Sequence, residues 1–583
     1  MKVLLTAINA KYIHSNLAVR SLRSYAERYA DQIEIAEFTI NQYKDYILEE
    51  IYRKKPDILA FSCYIWNMEY VLDILENVGL ILPETKIWLG GPEVSYDSEQ
   101  LLRKYPQITG IMVGEGEQIF LDLMDYYLEG NGKLEHIPGI IYREEDTVRT
   151  SRFPHPSRYL DMDELPFVYN DMEEFANKII YYESSRGCPF SCRYCLSSID
   201  RRVRFRALGL VTKELQIFLD YQVPQVKFVD RTFNCNHEHA MGIWRYILEH
   251  DNGVTNFHFE IEADLIREDE LELLAQMRPG LVQLEIGVQS TNPKTLEAVH
   301  RRTDFEKIAR VSRRITEGHN IHQHLDLIAG LPYEDYGSFG RSFDMVYELH
   351  PQELQLGFLK VLKGSGMQED AEKYSIVYRK KPTYEVLSTE WLTYGEILKL
   401  KAVEEMLEVY HNSQQFTHTI RALEKQFASP FALYESLAEF YEKKGKGGAG
   451  YSRMQRLELL RDFAHETDPE RGEWYDEQLI LDLYLRENAK TRPAWAKQQA
   501  ADRPQMVQFY KKEEETHVFL PGYEAYNWKQ LMKMTHLEHF YYRDGKEEEH
   551  WILFDYQERD PLTRDARTKT LIFPAFPYKI INN

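Results

Sequence analysis

Cysteine is scarce in this chain, with five residues among 583. So few thiols cannot staple a protein of this length, and their number fits a reducing cytoplasm. Long apolar runs are lacking too, since no stretch approaches the roughly 20 residues that a membrane-spanning helix needs. The opening stretch MKVLLTAINAKYIH has no signal-peptide architecture, so the expectation is a cytoplasmic protein with no membrane partner. Positive charge is in short supply: 71 Lys and Arg stand against 93 Asp and Glu, for a net charge of −22. Phosphate binding needs a basic field, which argues against nucleic acid as the partner. Tyrosine, by contrast, is plentiful at 40 residues. The length calls for about two to four domains, each large enough to bury a core.

What cysteine there is, is concentrated. Cys188, Cys192 and Cys195 share the stretch SSRGCPFSCRYCLS, residues 184–197. Three thiolates in one short loop can present their sulfurs on one face and wrap a single iron–sulfur cluster. A cluster that takes four ligands is then left with one open iron, where a small molecule can chelate. A zinc site instead uses a second CxxC pair or histidines at set spacing, and no second pair exists here. Three unrelated buried thiols leave both the spacing and the aromatic Tyr194 unexplained.

CPFSCRYC resembles the CxxxCxφC signature of the radical S-adenosylmethionine enzymes, φ being aromatic, and the preceding ESSRG is also typical of them. The resemblance implies a four-iron four-sulfur cluster on Cys188, Cys192 and Cys195, whose unique iron binds the amino and carboxylate groups of S-adenosylmethionine, with Tyr194 also assigned to that cofactor. Electron transfer, from a low-potential donor such as flavodoxin or ferredoxin, then cleaves it to methionine and a 5′-deoxyadenosyl radical.

Residues 1–135 alternate between strands and helices. MKVLLTAI, IEIAEFTI, PDILAFSCYIW, KIWLGGPEV and TGIMVGEGE read as buried strands, with helices over 15–29 and 68–78. The pattern predicts a doubly wound, Rossmann-like parallel sheet, whose ligands bind at the carboxyl ends of strands. Small residues gather there: Ser62 and Cys63 after the third strand, Gly90, Gly91 and Pro92 after the fourth, Gly114, Glu115 and Gly116 after the fifth. Taken singly, each is an ordinary turn residue. Taken in order, FSCY, LGGPE and VGEGE resemble the cobalamin-binding domain that precedes the barrel in one large class of radical S-adenosylmethionine enzymes. That resemblance implies cobalamin contacts from Tyr12, Ser62, Cys63, Tyr64, Trp66, Gly90, Gly91, Pro92, Glu93, Gly114, Glu115 and Gly116. Tyr64 and Trp66 either line the pocket or pack the core. The DxHxxG loop of other cobalamin folds is missing, and Asn9 to His14 stand in its place, with His14 at the wrong spacing for the axial ligand.

Residues 136–177 read as a linker, with a small β element in GIIYREEDTVRTS and prolines at Pro154, Pro156 and Pro166 that break regular structure. From 178 to 400 the alternation returns, with strands in KIIYYESSRG, QVKFVDRTF, NFHFEIEAD, LVQLEIGVQS, IHQHLDLIAGLP and ELQLGFLKVL. Six βα repeats predict a partial TIM-type barrel, a full one needing eight, with the cysteine loop at the mouth where strands end. The family resemblance extends over this span and implies a role for several strand-end residues. Asp230 takes the position that holds the methionine amine, and Gln289 and Ser290 match ribose and carboxylate contacts. Asp326 and Gly330 match the segment that packs on adenine, with Asp326 replacing its first glycine. Glu260 and Glu262 share one strand face and are further candidates for cofactor contact. In the run after the loop, Arg202, Arg204 and Arg206 share a side if extended, a candidate anion site, with Arg204 assigned to the cofactor. Cys63 and Cys235 default to small hydrophobes.

Residues 401–583 carry no chemical signature. LKLKAVEEMLEVYHNS and RMQRLELLRDFAHE read as amphipathic helices, KKGKGGAGYS as a flexible interruption, and THVFLP, HWILFDY and TKTLIFPAFPYKI as strands, together an α+β domain. PTYEVLSTEWLTYGEILKLKAVEEM resembles a subgroup of cobalamin-binding radical enzymes with a C-terminal domain of unknown function. The sequence thus points to an α/β multidomain enzyme using a 4Fe-4S cluster, S-adenosylmethionine and cobalamin. Family logic makes methylation of an unactivated carbon the leading reaction. A radical cyclase or rearrangement enzyme without methyl transfer is the alternative, and a non-catalytic cobalamin or redox sensor the reading from another class.

Overall fold

The computed structural model describes residues 1–152, 159–445, 450–496, 503–572 and 579–581. Pro154 and Pro156, part of the KKGKGGAGYS interruption and the middle of TKTLIFPAFPYKI lie outside the described residues. The chain divides into two compact units. One holds Met1–Ile321, Ile328–Asp335 and Gly357–Tyr394; the other holds His322–Leu327, Tyr336–Leu356 and Gly395–Asn583.

The first unit opens with β1 (Val3–Asn9), every residue of which is buried. A strand covered on both faces reads as a continuous apolar run, and VLLTAI is one. β2 (Ile33–Thr39), β3 (Ile58–Ser62), β4 (Lys86–Gly90) and β5 (Ile108–Met112) join it in the order β2-β1-β3-β4-β5, all parallel. Helices Lys44–Lys54 and Met68–Ile81 bury Ile47, Ile51, Val71, Ile74, Leu75 and Val78 in the core of one face. Helices Leu17–Tyr25 and Gly116–Met124 bury Val19, Ile119, Phe120 and Leu123 on the other. Each such aliphatic side chain contributes about 1.5–3 kcal/mol when fully buried. The hairpin expected within the linker belongs instead to this sheet: β6 (Ile140–Glu144) pairs antiparallel with β5, and β7 (Thr147–Thr150) with β6. It covers an edge of β5 that would otherwise be open to stray pairing. Strand order reverses between β1 and β3, and ligands of doubly wound sheets bind in the crevice at such a reversal.

The second sheet is built from β8 (Ile180–Tyr182), β11 (Gln225–Phe228), β12 (Asn256–Ile261), β13 (Val282–Gln289), β14 (His322–Ala329) and β15 (Glu353–Phe358), adjacent in that order. The pairs β8–β11, β11–β12 and β12–β13 are parallel. Between β8 and β11 a short antiparallel ribbon, β9 (Ser185–Arg186) with β10 (Arg204–Phe205), frames the cysteine loop. A small pair, β16 (Val377–Tyr378) and β17 (Val386–Ser388), follows β15. The predicted strands all form, because one face of each is apolar: Phe228, Phe257, Phe259 and Leu284 are fully buried, and the rings of Phe233 and Trp244 pack edge-on or tilted against Phe259.

The other unit is mostly helical, with Tyr394–Leu407, Thr417–Glu424, Pro430–Lys443, Arg453–Thr467 and Gly472–Arg486 among its helices. It ends in an antiparallel sheet of β18 (Thr535–Arg543), β19 (Lys546–Arg559), β20 (Ala566–Ile572) and β21 (Lys579–Ile581). THVFLP is not the strand its composition suggests. The Glu513 carboxylate accepts the Phe519 and Leu520 amides at 2.8 and 3.1 Å, which takes those donors from any ladder. Many tyrosines go into this unit's core with their hydroxyls partnered. Tyr347 donates to Glu424 at 2.6 Å, Tyr523 to Asp555 at 2.6 Å, and Tyr410 meets Tyr441 at 2.5 Å. These hydroxyls are committed to internal partners, which gives part of the tyrosine excess a structural role.

Candidate active site

The cysteine loop is fixed by its own backbone. Gly187 has φ +95°, and a Cβ there would lie 2.3 Å from the Arg202 carbonyl oxygen, so no other residue fits without strain. The Cys188 amide donates to the Asp200 carbonyl at 3.1 Å, closing the loop. The Ser198 hydroxyl sits between the Cys192 and Cys195 carbonyls at 2.9 and 2.7 Å. Arg193 is bolted outward to Asp370 at 2.7 Å and the Gly366 carbonyl at 3.0 Å, leaving its neighbours turned inward. All three thiols are free, and Cys188 and Cys192 are buried. Among the described residues, no set of His, Cys, Asp or Glu ligand atoms drawn within 4.8 Å of one another includes them.

A residue that sequence reasoning missed lies against this loop. Arg301, in the stretch after the helix Pro293–Ala298, reaches the Cys192 sulfur at 3.9 Å and the Tyr194 hydroxyl at 3.4 Å through one nitrogen. Its other terminal nitrogen pairs with Glu262 at 2.6 Å and donates to the Gly287 carbonyl. A buried guanidinium beside a thiol favours the thiolate and adds positive charge next to whatever that thiolate holds. Burial pushes the Cys192 thiol up and Arg301 opposes it. Glu262 is likewise pushed up by burial, to about 7, against the pull of Arg301. No motif announces Arg301, because it comes from a different βα connection.

The other strand-end candidates divide by what they touch. Asp230 is fully buried, and its carboxylate accepts from the Ser184 amide at 3.0 Å, the Ser184 hydroxyl at 2.7 Å and the Ser185 hydroxyl at 2.5 Å. Burial lifts it to about 6 in spite of those bonds. It therefore holds the SSRG backbone on which the loop is mounted. With the Ser184 proton given to Asp230, the His239 Nε2 at 3.1 Å donates to the hydroxyl. Burial lowers His239 to about 4. The Ser290 hydroxyl donates to Glu334 at 2.9 Å. Gln289 adopts φ +68° at the end of β13, and its Oε1 is buried without a hydrogen-bond partner. Glu260 lies on β12, and Asp326 lies on β14 with the His324 Nε2 at 3.0 Å. The arginine run does not form one anion site. Arg204 pairs with Glu115, Arg206 with Glu214, and Arg202, exposed over Tyr159, lies 3.8 Å from Asp200, so each of the three charges already has a carboxylate partner.

At the carboxyl edge of the first sheet, Trp66 stacks on Tyr64 with ring centroids 4.4 Å apart and planes 6° from parallel. Trp66 is 42% exposed and Tyr12, after β1, is 73% exposed. An exposed apolar rim on both sides of the β1/β3 crevice marks a binding surface, and a stacked indole suits a flat ligand face. Below it Asn67 stitches the crevice, donating to the carbonyls of Ile8 at 3.1 Å and Ser62 at 2.9 Å. Ser62 receives Asn16 at 3.3 Å. Cys63 is fully buried, its thiol pushed up by burial, and its amide donates to Gly90 at 2.7 Å. His14 turns to β8, its Nδ1 2.5 Å from the Tyr181 hydroxyl.

Within Gly90-Gly91-Pro92-Glu93 and Gly114-Glu115-Gly116, several residues also have partners in the protein itself. Gly91 has φ +114°, and a Cβ would lie 2.5 Å from the Cys63 carbonyl. Gly91→Ala should therefore cost about 1–3 kcal/mol and release cobalamin, read as a lower melting temperature and less retained corrinoid. Unchanged melting and retention would refute the constraint. Glu93 is buried against Lys363 at 3.0 Å and receives the Tyr384 hydroxyl. Gly114 adopts φ +93°, and Gly116 opens the helix Gly116–Met124 against Leu22. Glu115 takes Arg204, and Glu117 takes Arg186 at 2.6 Å. The ribbon that frames the cysteine loop is thus clamped to the VGEGE turn.

The donor sets fit the implied groups: three free thiols on one loop for a cluster, and a stacked aromatic pair at a sheet's switch point for a corrin. Three family models match the chain: B12 binding domain over residues 3–124, Radical SAM superfamily over 182–346, and a protein of unknown function, DUF4080, over 372–554. The uncharacterized methyltransferase PH0819 of Pyrococcus horikoshii is 27% identical over 255 residues, covering 42% of this chain and 54% of that protein. The cobalamin-dependent radical SAM methyltransferase TokK of Streptomyces tokunonensis is 24% identical over 502 residues, 78% of this chain and 72% of TokK. The chain thus spans about half the length of the first relative. The structure of the cobalamin-dependent S-adenosylmethionine radical enzyme OxsB, with aqua-cobalamin and S-adenosylmethionine bound, superposes with TM-score 0.59 at 16% identity, over 84% of this chain and 82% of OxsB. At that identity the likeness concerns the fold.

Proposed function

We propose that the chain is a radical S-adenosylmethionine enzyme of the kind that carries a B12 binding domain, and that it methylates an unactivated carbon of its substrate. The observation that carries this reading is the clamp. Arg186 and Arg204, on the two strands framing the cysteine loop, bind Glu115 and Glu117 of the VGEGE turn. Cofactors that must exchange a methyl group and a radical on one substrate need their sites held in fixed register. When bound, the cluster with S-adenosylmethionine supplies the radical, and cobalamin carries the methyl group.

The protein's own share is positional. Cys188, Cys192 and Cys195 hold the cluster, with Arg301 beside Cys192. Ser184 and Ser185, anchored on Asp230, set the angle at which the loop leaves β8. Tyr64 and Trp66 offer the corrin a flat, partly exposed surface. Three free thiols in this loop favour the reducing cytoplasm, with flavodoxin or ferredoxin as electron donor. Among the described residues no helix is long and apolar enough to cross a membrane. The proposed division is a cobalamin domain, a linker, a barrel from about 178 to 400 and a C-terminal domain, with the first boundary moved from 135 to about 150 because the β6–β7 hairpin belongs to the first sheet.

Methyl transfer by way of cobalamin releases S-adenosylhomocysteine in addition to 5′-deoxyadenosine. With cluster and cobalamin loaded and substrate present, both products are expected in step. Deoxyadenosine alone, from protein that retains cobalamin, would favour the cyclase or rearrangement reading. Neither product would favour the sensor.

A further inference from the structure

We propose that the substrate is a small water-soluble molecule, recognised through hydrogen bonds by a polar wall inside the barrel formed by Tyr181, Lys227, His258 and Glu285. The inference rests on the methyl-transfer reading and specifies the class of molecule methylated.

Side chains alternate faces along a strand, and here the two faces differ sharply in chemistry. Ile180 and Tyr182 of β8, Val226 and Phe228 of β11, Phe257 and Phe259 of β12, and Leu284 and Ile286 of β13 are buried. Aromatic contacts show where that face points: Tyr182 packs on Phe218, and Phe259 on Trp244, both from the surrounding helices. The residues between them face the opposite way, into the barrel. In register across the parallel strands, Tyr181 stands beside Lys227, and Lys227 beside His258. Glu285 lies two residues beyond Gln283, the partner of His258.

These groups form one connected set. The Glu285 carboxylate accepts from Lys227 Nζ at 3.2 Å and lies 2.9 Å from His258 Nε2. The Tyr181 hydroxyl meets His14, which comes from the loop after β1. Although they sit on central strands, Lys227 keeps 28% of its side-chain surface and Glu285 21%. The inner face is therefore open to water, whereas the face against the helices is dry. The wall lies one to four residues before the carboxyl ends of its strands, the end from which the cysteine loop departs. Active sites of such barrels form at that end.

A hydrocarbon substrate seated there would strip water from a lysine, a carboxylate and a histidine and return no hydrogen bonds, which is strongly unfavourable. A molecule with hydroxyl, amino or carboxyl groups replaces the lost water.

The test uses the full chain with cluster and cobalamin loaded, S-adenosylmethionine carrying a CD3 methyl group, and a chemical reductant. It is incubated with two extracts of the source cells: an ultrafiltered aqueous extract and a chloroform extract. CD3 label is expected in a small molecule of the aqueous extract. Lys227→Met should lower that labelling by about tenfold or more, as loss of a hydrogen bond to a charged group does, and Lys227→Arg should restore most of it. Iron and cobalamin content verify that each variant is loaded, and Glu285→Gln replaces Lys227→Met if the latter fails to load. Label in the chloroform extract would overturn the inference and leave methyl transfer standing. So would aqueous labelling unaffected by loaded wall variants. Label in neither extract, with deoxyadenosine still formed, would overturn the methyl-transfer reading and with it this inference.

Discussion

Anaerobic reduction of the loaded protein with S-adenosylmethionine should yield 5′-deoxyadenosine, and the Cys192→Ala variant should yield none above background. Cys192 is the middle thiol of the three and is buried at 6% exposure. Its carbonyl receives the Cys195 amide at 3.2 Å, so its position also sets that of the third ligand. Removing the sulfur leaves two thiols to hold a cluster that needs three from the protein. It also leaves Arg301, which reaches both Cys192 and Tyr194, facing a void with no thiolate to balance it. Iron content should fall together with activity, because the defect is in holding the cluster and not in a later step. Cys235→Ala is the matched control, since Cys235 is a half-buried thiol outside the loop. Wild-type amounts of deoxyadenosine from Cys192→Ala would sink the cluster assignment, and equal losses in both variants would point to general unfolding.

The legibility of this molecule in its sequence follows the range of the signal. Strands of both parallel sheets were readable because each is a short apolar run between turn residues, and period and burial agree. The cysteine loop was readable because its three ligands are local. The β6–β7 hairpin could be seen as a hairpin, but its attachment to β5 depends on an edge formed far away in the chain. Thr516–Pro521 has the composition of a strand and is a loop, because one carboxylate, Glu513, captures its amides. Arg301 and Arg186 escaped for the same reason. An arginine carries no motif, and what matters is the carboxylate or thiol it meets across the fold. Arg204 shows the converse: its run of arginines suggested a ligand anion, and the anion it finds is Glu115 of the same chain.

Arg186→Met should destabilise the first unit by about 3–5 kcal/mol at neutral pH, the usual result of breaking a buried ion pair, and the loss should shrink in acid. Arg186 donates to Glu117 at 2.6 Å and to both oxygens of Glu183 at 2.9 Å, with Glu115 at 3.9 Å. Glu115 keeps Arg204, but Glu117 loses its cation and keeps the Ser21 hydroxyl at 3.1 Å and a backbone N–H. In the native protein burial raises the Glu117 carboxyl, and Arg186 overcomes that and holds it below the usual value of 4.5. A depressed carboxylate stabilises fully above the unfolded value, and that stability is lost as pH falls through the folded value. Without Arg186, burial is the largest remaining influence and the sign reverses: the group prefers its proton, and stability is lost as pH rises from about 4.5 upward. The difference in melting temperature between wild type and Arg186→Met should therefore be large at pH 7.5 and smaller at pH 5, with Arg186→Lys intermediate. An equal difference at both pH values would mean that packing, not charge, ties the cysteine loop to the VGEGE turn. Product stoichiometry at pH 5, where cobalamin is bound in either case, separates the two roles of the clamp. If it merely stabilised the fold, corrinoid binding would recover at pH 5 together with melting temperature. If it sets the register of the two cofactor sites, the variant should bind cluster and cobalamin at pH 5 yet form S-adenosylhomocysteine and deoxyadenosine out of step.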